Sequence, residues 1–325
     1  MRAIQIERTG GPEVMQVVDV RVGDPGPGEV RVRHSAIGVN FIDTYFRSGL
    51  YSTTLPAVVG SEAAGVVEAV GAGVTHLAVG DRVGYSARTP GSYAEARVLD
   101  ASPVFKLPDG IDFERAAAMM LKGLTVQYLL RRTHPQGGLA AGDTIVWHAA
   151  AGGVGLIACQ WAAALGLVVI GTAGSDEKCA LAKQHGATHV INYRREDVVA
   201  RVRELTGGRG VKVVYDAVGK DTWDRSIECL APFGLMVSFG NASGPVAPVN
   251  LLTLSKGSLY VTRPTLNTHL ANREVGAQMA AELFDMVTSG KVKIEVGQRY
   301  KLEDAAQAHR DLESRNTTGS TILIP

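Results

Sequence analysis

The chain has 325 residues, 46% of them apolar and 20% charged, with a formal net charge of +1 at pH 7. That length exceeds a usual single domain and predicts two, each able to bury a core. The near-neutral charge argues against a dedicated nucleic-acid or membrane surface. No apolar run approaches the ~20 residues that span a bilayer, and the opening MRAIQIERTG lacks the apolar stretch of a signal peptide, so a cytoplasmic protein is expected. The three cysteines, Cys159, Cys179 and Cys229, are an odd number without metal-type spacing and read as reduced thiols, mostly buried.

Up to about residue 124 the chain is rich in short β-type segments: Ala3 to Ile6, Val14 to Val20, Val30 to Ile37, Ala63 to Val70, Arg82 to Tyr85 and Ser92 to Val98. Turn signals such as GDPGPGE and TPGS separate them, which predicts a compact β barrel. Lys122 to Arg131 reads as a helix leading to the polar turn HPQGG. Strands and helices then alternate through HVINY, Glu196 to Leu205, VKVVYDAVG, Thr222 to Leu230, LMVSFG and GSLYVTR, the pattern of a parallel sheet with helices on both faces. From about residue 266 a helix, a short strand, a helix over Glu303 to Leu312 and the strand STILIP are too little for a domain and are expected to return to the first block.

Residues 143 to 178 carry the clearest functional signal: strand, glycine turn, Ala-rich helix, second strand and a polar loop in one unbroken unit. Ala150 to Gly155 fill the frame of G-x-G-x-x-G. Ala150 takes the first glycine place, Gly152 stands where backbone approaches a pyrophosphate, and Gly155 where helix meets strand. Amides at the helix start, at Gly152, Gly153 and Val154, would face the phosphates. A plain strand-to-helix turn is the alternative, and the correct flanking elements favour a nucleotide. An NAD site usually ends its second strand in an acid that binds the ribose 2′-hydroxyl, whereas this chain has Ala173 followed by Gly174, Ser175 and Lys178. A small gap, a hydroxyl and a cation suit a 2′-phosphate, so the cofactor predicted is NADPH. Ser175 also reads as a helix N-cap with Glu177 in the first turn and Lys178 on a solvated face, and both readings can hold together.

At GSEAAGVVEAVGAGV, Gly60 to Val74, the sequence resembles the G-H-E-x-x-G signature of the medium-chain dehydrogenase/reductase superfamily, with Ser61 in place of the histidine and Glu62, Gly65 and Gly71 kept. The segments NFIDTYFRSGLY, KGLTVQYLL, HAAAGGVG, DAVGKDTW, VSFGNASG, VTRP and SRNTTGS are similar to the zeta-crystallin-like NADPH quinone oxidoreductases of bacterial type. The resemblance implies an α/β protein in which a Rossmann doubly wound parallel sheet, residues 125–265, is joined to a GroES-like β-barrel catalytic domain. That barrel would be formed by residues 1–124 with the returning tail 266–325, the cofactor lying in the cleft between. It also implies a homodimer in which the last Rossmann strand, Ser258 to Arg263, pairs with its twofold mate.

In the alcohol-dehydrogenase branch a zinc is held by a cysteine and a histidine of the first domain; here Asn40 and Ser61 stand in those places, and neither is a good zinc ligand. The cysteine cluster of a structural zinc lobe is missing too, and His34, His76 and His134 show no pairing that suggests a site. No metal is expected, so an acceptor that is already electrophilic fits better than an alcohol. From the resemblance, Asn40, Asp43 and Tyr45 would sit beside the nicotinamide, Tyr51 toward the substrate mouth and Thr125 below the ring. Tyr193 would stack on adenosine, Phe239, Gly240 and Asn241 would line the crevice at a strand end, and Arg263, Pro264, Arg315 and Asn316 would lie near the cofactor. Purely structural readings stand beside these: Asn40 as cap of a helix over Phe41 to Phe46, Asp43 on its dipole, Tyr45 as a packed core ring, and the arginines as solvated.

The function expected is zinc-independent NADPH:quinone oxidoreduction, by hydride or sequential electron transfer, on a small-molecule quinone or conjugated carbonyl. An enone or enoyl reductase on the same fold, which needs a proton donor, is the nearest alternative. A non-catalytic NADPH-binding protein is the alternative from another class.

Overall fold

A computed structural model describes residues 1–134, 137–315 and 317–325. The elements run β1 (Arg2–Ile6), β2 (Gln16–Asp19), β3 (Glu29–Val39), α1 (Phe41–Ser48), β4 (Ala57–Val58), β5 (Glu62–Val70), β6 (Arg82–Ser86), β7 (Ala96–Asp100), β8 (Val104–Lys106) and α2 (Phe113–Arg132). There follow β9 (Thr144–Trp147), α3 (Gly153–Ala164), β10 (Val168–Ala173), α4 (Asp176–Gln184), β11 (His189–Asn192), α5 (Val198–Leu205), β12 (Val211–Asp216), α6 (Trp223–Glu228), β13 (Leu230–Ser238) and β14 (Tyr260–Thr262). The chain closes with α7 (Leu266–Leu270), α8 (Arg273–Thr288), β15 (Val296–Lys301), α9 (Ala305–Glu313) and β16 (Ser320–Ile324). Two compact units result, one of Met1–Leu124, His269–Thr288 and Ile294–Pro325, the other of Thr125–Thr268 and Ser289–Lys293.

In the first unit, a sheet in the order β15-β16-β3-β5-β6-β8, with β7 also on β3, is accompanied by the smaller sheet β2-β1-β4. The start of β3 alternates buried and less buried residues, while Ala36 to Val39 at its end are all buried. Ile4, Val32, Ile37, Tyr85, Tyr93 and Leu323 belong to one core, so the last strand of the chain closes a unit begun by the first. Gly38 is dictated by this packing, since a Cβ there would strike the Ala117 carbonyl and the Glu62 carboxylate.

The second unit is an all-parallel sheet in the order β11-β10-β9-β12-β13-β14. Its inner strands, TIVW, VVIGTA and VKVVYD, are almost wholly buried, as a sheet covered on both faces requires. The order reverses between β9 and β12, and in such sheets ligands bind outside the carboxyl ends of the strands at that switch. This is the Rossmann sheet expected, and the first unit is of the GroES-like type. Among the described residues no helix is long and apolar enough to cross a membrane.

The sequence reading missed β4 and β8, whose two and three residues are too short for a period to show. It also began α2 nine residues late: the helix starts at Phe113 after Asp112, whose carboxylate accepts from the Arg115 amide at 2.8 Å. The last parallel strand is only Tyr260–Thr262, because Leu251–Gly257 forms a 3₁₀ helix and Ser258 turns left-handed at φ 52°.

Candidate active site

In the first unit, β3 ends at Val39 and the chain turns into α1 through Asn40, whose extended backbone makes it the N-cap. The Asn40 amide donates to Asp43 Oδ2 at 2.9 Å, the reach-back of a capping box, while the Asn40 side-chain amide donates to Glu62 Oε2 at 2.8 Å. The cap reading of Asn40 therefore holds alongside any cofactor role. Asp43 has partners other than the nicotinamide that the resemblance implied. It is fully buried, with Ser61 Oγ on Oδ1 at 2.8 Å and the Tyr93 hydroxyl on Oδ2 at 3.1 Å. Burial raises its pKa to about 6 against these three hydrogen bonds and the Lys122 charge.

Behind Asp43 runs a directed chain to the C-terminal helix. Arg47 can only donate, so the His309 Nδ1 that it meets at 3.0 Å must accept, and the ring proton lies on Nε2. Nε2–H then donates to the Tyr93 oxygen at 3.0 Å, leaving the Tyr93 O–H for Asp43. Arg47 completes the chain on Glu313 at 2.6 Å. Burial, with help from Arg47, lowers the His309 pKa to about 3, so the ring stays neutral.

A second buried cluster lies where the zinc-dependent branch carries its metal ligands. Glu62 has no exposed surface; its carboxylate accepts from Asn40, from Lys122 Nζ at 3.3 Å and from the Leu121 amide at 2.7 Å. Burial still pushes the Glu62 carboxyl up. Lys122, nine-tenths buried, was read from the sequence only as the start of a helix, although it opens the family-like segment KGLTVQYLL, which was a signal for it. Tyr45 is buried and its ring centroid lies 5.2 Å from that of the half-buried Tyr51, whose amide donates to the Tyr45 carbonyl at 3.0 Å. Asn40, Asp43, Tyr45 and Tyr51 thus form one neighbourhood about α1. Arg315, in the same unit, is exposed with φ 61°, and Asn316 lies outside the described residues.

In the second unit the predicted cofactor residues gather at the carboxyl ends of the strands. After β9, Gly152 is the N-cap of α3, with no side-chain cap bond and no acid in the first turn. A Cβ on Gly155 would meet the Ala150 carbonyl carbon at 2.6 Å, so that glycine serves helix-on-strand packing. A Cβ on Gly152 would meet only the Ala149 oxygen, at 3.3 Å. That contact is tight but far milder than the one at Gly155, and Gly152 stands at the positive end of α3.

After β10, Ala173 is buried, and Gly174 lies so close to Tyr193 that a Cβ would stand 2.5 Å from the phenol oxygen. Ser175 caps α4, accepting from the Lys178 amide at 3.3 Å, as the capping alternative held. A Ser175 hydrogen bond holds the exposed Glu177 carboxyl below its usual range, and Asp176 is answered by Arg195 at 2.6 Å. Half-buried Lys178 shares the first turn. After β13 come Phe239, whose ring centroid lies 5.7 Å from that of Trp147, then Gly240 and Asn241. Arg263 donates to Ser238 Oγ at 2.9 Å and to the Gly240 carbonyl at 3.0 Å, tying the end of β14, next to Pro264, to the end of β13. Thr125, at the start of this unit, is buried.

The strand ends are locked from below by groups the sequence reading passed over. Ser226 donates to Asp216 Oδ2 at 2.9 Å, so its oxygen accepts from His148 Nε2–H, and Nδ1 accepts from Thr172 at 2.9 Å. Asp216 also accepts from the amides of Val218 and Gly219. Burial keeps the His148 pKa low and the ring neutral.

The profile of the zinc-binding dehydrogenase family matches residues 153–285, and that of the alcohol dehydrogenase GroES-like domain matches residues 26–109. A quinone oxidoreductase of Pseudomonas aeruginosa is 58% identical over 326 residues, covering 100% of this chain and 99% of the relative. The chain belongs to the quinone oxidoreductase family of the medium-chain dehydrogenases/reductases. Within that superfamily, a crystal structure of Escherichia coli quinone oxidoreductase complexed with NADPH superposes with a TM-score of 0.97 at 51% identity, covering 100% of both chains. A 2-haloacrylate reductase of a Burkholderia species is 43% identical and covers 99% of this chain and 98% of the relative. One profile's name refers to zinc, yet the Asn40 amide nitrogen and the Ser61 hydroxyl are committed to Glu62 and Asp43. Among the described residues no group of three or more His, Cys, Asp and Glu is placed to hold a metal ion.

Proposed function

We propose that the chain is an NADPH-dependent quinone oxidoreductase whose chemistry needs no metal. The observation that carries the reading is the end-to-end match to the quinone oxidoreductase of P. aeruginosa, supported in this chain by the glycine N-cap of α3 at Gly152 and by Ala173 where NAD sites carry an acid. NADPH, when bound, supplies the reducing equivalents. The amides of Gly152, Gly153 and Val154 would hold its pyrophosphate, Ser175 and Lys178 the 2′-phosphate, and Tyr193 the adenosine. Phe239, Gly240 and Asn241 would line the crevice at the strand end. In the first unit, Glu62 fixes the Asn40 amide and Lys122 neutralises Glu62, so Asn40 keeps one orientation without a metal. The oxyanion left when a quinone is reduced is a resonance-stabilised phenolate whose conjugate acid has a pKa of about 10, so it can take its proton from water without a positioned donor, and Tyr45 mainly packs against Tyr51.

The test is an acceptor panel with purified protein and NADPH: quinones should be turned over and simple alcohols or ketones should not. The 2-haloacrylate reductase relative favours one second reading, reduction of a conjugated acid on the same scaffold, and the same panel with an acrylate separates the two. We further infer a cytoplasmic homodimer. An edge strand β14 with exposed Val261, near Leu251 and Leu252 at 76% exposure each, calls for cover. Light scattering that finds only monomer at micromolar concentration would refute the dimer.

A further inference from the structure

The first unit contains a cleft of about 480 Å³, within the range that holds small molecules, beside the aromatic neighbourhood of α1. Phe46 lines it, and the Phe46 ring stands edge-on to Tyr51 with centroids 5.8 Å apart. The rest of the lining is mixed: Ala57, Val58, Pro90 and Gly91 are apolar, while Ser52, Thr53, Thr54 and Thr89 bring hydroxyls and Arg88 a guanidinium. No acidic residue lines the cleft, and the described residues give Arg88 no carboxylate partner. Arg2, Arg31 and Arg299 of this unit are paired with Glu95, Asp24 and Glu114, whereas the described residues give neither Arg88 nor the exposed Arg8 and Arg21 a carboxylate; of these three unpaired arginines only Arg88 lines the cleft. A cation left without a counter-charge, hydroxyl donors and one aromatic wall together fit a ring that carries an anionic group.

We propose that this cleft recognises acceptors bearing a carboxylate or sulfonate on the ring, with Arg88 as the residue that selects them. The inference rests on the quinone-reductase reading and narrows its substrate class. Arg88 is exposed, so solvent screens the pair and the expected effect is modest, about threefold to tenfold rather than hundredfold.

The experiment compares kcat/KM for 1,4-naphthoquinone-2-sulfonate and for neutral 1,4-naphthoquinone in the wild type, Arg88→Gln and Arg88→Lys, at low and high salt. Binding of unreactive 2-naphthalenesulfonate is measured alongside. The anionic-to-neutral ratio is expected to fall about fivefold in Arg88→Gln, to recover largely in Arg88→Lys, and to shrink with salt in the wild type. Naphthalenesulfonate should bind Arg88→Gln about fivefold more weakly. An unmoved ratio, or equal naphthalenesulfonate binding by wild type and Arg88→Gln, overturns the proposal. Turnover of neither quinone together with Arg88-dependent naphthalenesulfonate binding would uphold the site and overturn the quinone reading instead.

Discussion

Two glycines three residues apart in one turn should fail in different ways. Gly155→Ala places a methyl against the Ala149 and Ala150 carbonyls, backbone atoms that cannot swing aside, with the Ala150 carbonyl carbon 2.6 Å from the new Cβ. Overpacking of that kind costs about 1–3 kcal/mol, which lowers the melting temperature of a unit this size by about 3–10 °C. Gly152→Ala meets only the Ala149 carbonyl oxygen, at 3.3 Å, which must give by a few tenths of an ångström; a cost of at most about 1 kcal/mol should lower the melting temperature by no more than about 2–4 °C. On the proposed reading its methyl would crowd the pyrophosphate held at the α3 N-terminus. Displacing two charge-assisted phosphate contacts at about 1.5–3 kcal/mol each predicts at least a hundredfold loss of NADPH affinity, and Gly152→Val should abolish binding. Calorimetric titration with NADPH and thermal melts of the cofactor-free proteins give both numbers. Gly152→Ala binding NADPH like the wild type, or melting as low as Gly155→Ala, would refute the assignment of the turn.

Lys178→Ala should weaken NADPH about tenfold to a hundredfold and barely touch NADH, and equal binding of the two cofactors by the wild type would sink that argument. Tyr45→Phe, which keeps the ring on Tyr51, should retain most quinone turnover; a thousandfold loss at unchanged NADPH affinity would establish an obligatory proton donor. His309 has its folded pKa lowered to about 3, so the folded protein binds fewer protons than the unfolded chain between that value and about 6.5. Stability should therefore rise with pH across that window on its account, by up to about 4–5 kcal/mol, and be lost on acidification. Asp43, raised to about 6, works the other way and lowers stability by about 3 kcal/mol as pH rises from about 4 to 6. Denaturant titrations at stepped pH should show His309→Gln rising less steeply with pH than the wild type; a parallel profile would contradict the neutral-histidine assignment.

The Rossmann sheet was legible because its determinants are local. The runs TIVW and VVIGTA, the turn at Gly152 and the Ala-rich α3 each announce themselves within a few residues. Short pairing segments were not, since β4 is a strand only because Val58 meets Gln5 and Ala57 meets Ile6 across more than fifty residues. The same limit hid the buried clusters. Nothing in the spacing of Arg47, Tyr93 and His309 foretells that they hydrogen-bond in series, nor that His148 links Thr172 to Ser226. Asn40 was legible as a cap from its place before FIDTYF, but its grip on Glu62 and the Glu62 pair with Lys122 depend on strand β5 and helix α2 folding against one another within the unit.

The central claim, metal-free reduction of a quinone by NADPH, is tested most directly by following both partners in one sample of protein stripped of metal by a strong chelator. NADPH oxidation should be matched by quinone reduction, at a rate unchanged from the untreated protein and unaffected by added zinc. Activity lost to the chelator and restored by zinc, or NADPH bound tightly while no quinone is reduced, would contradict it.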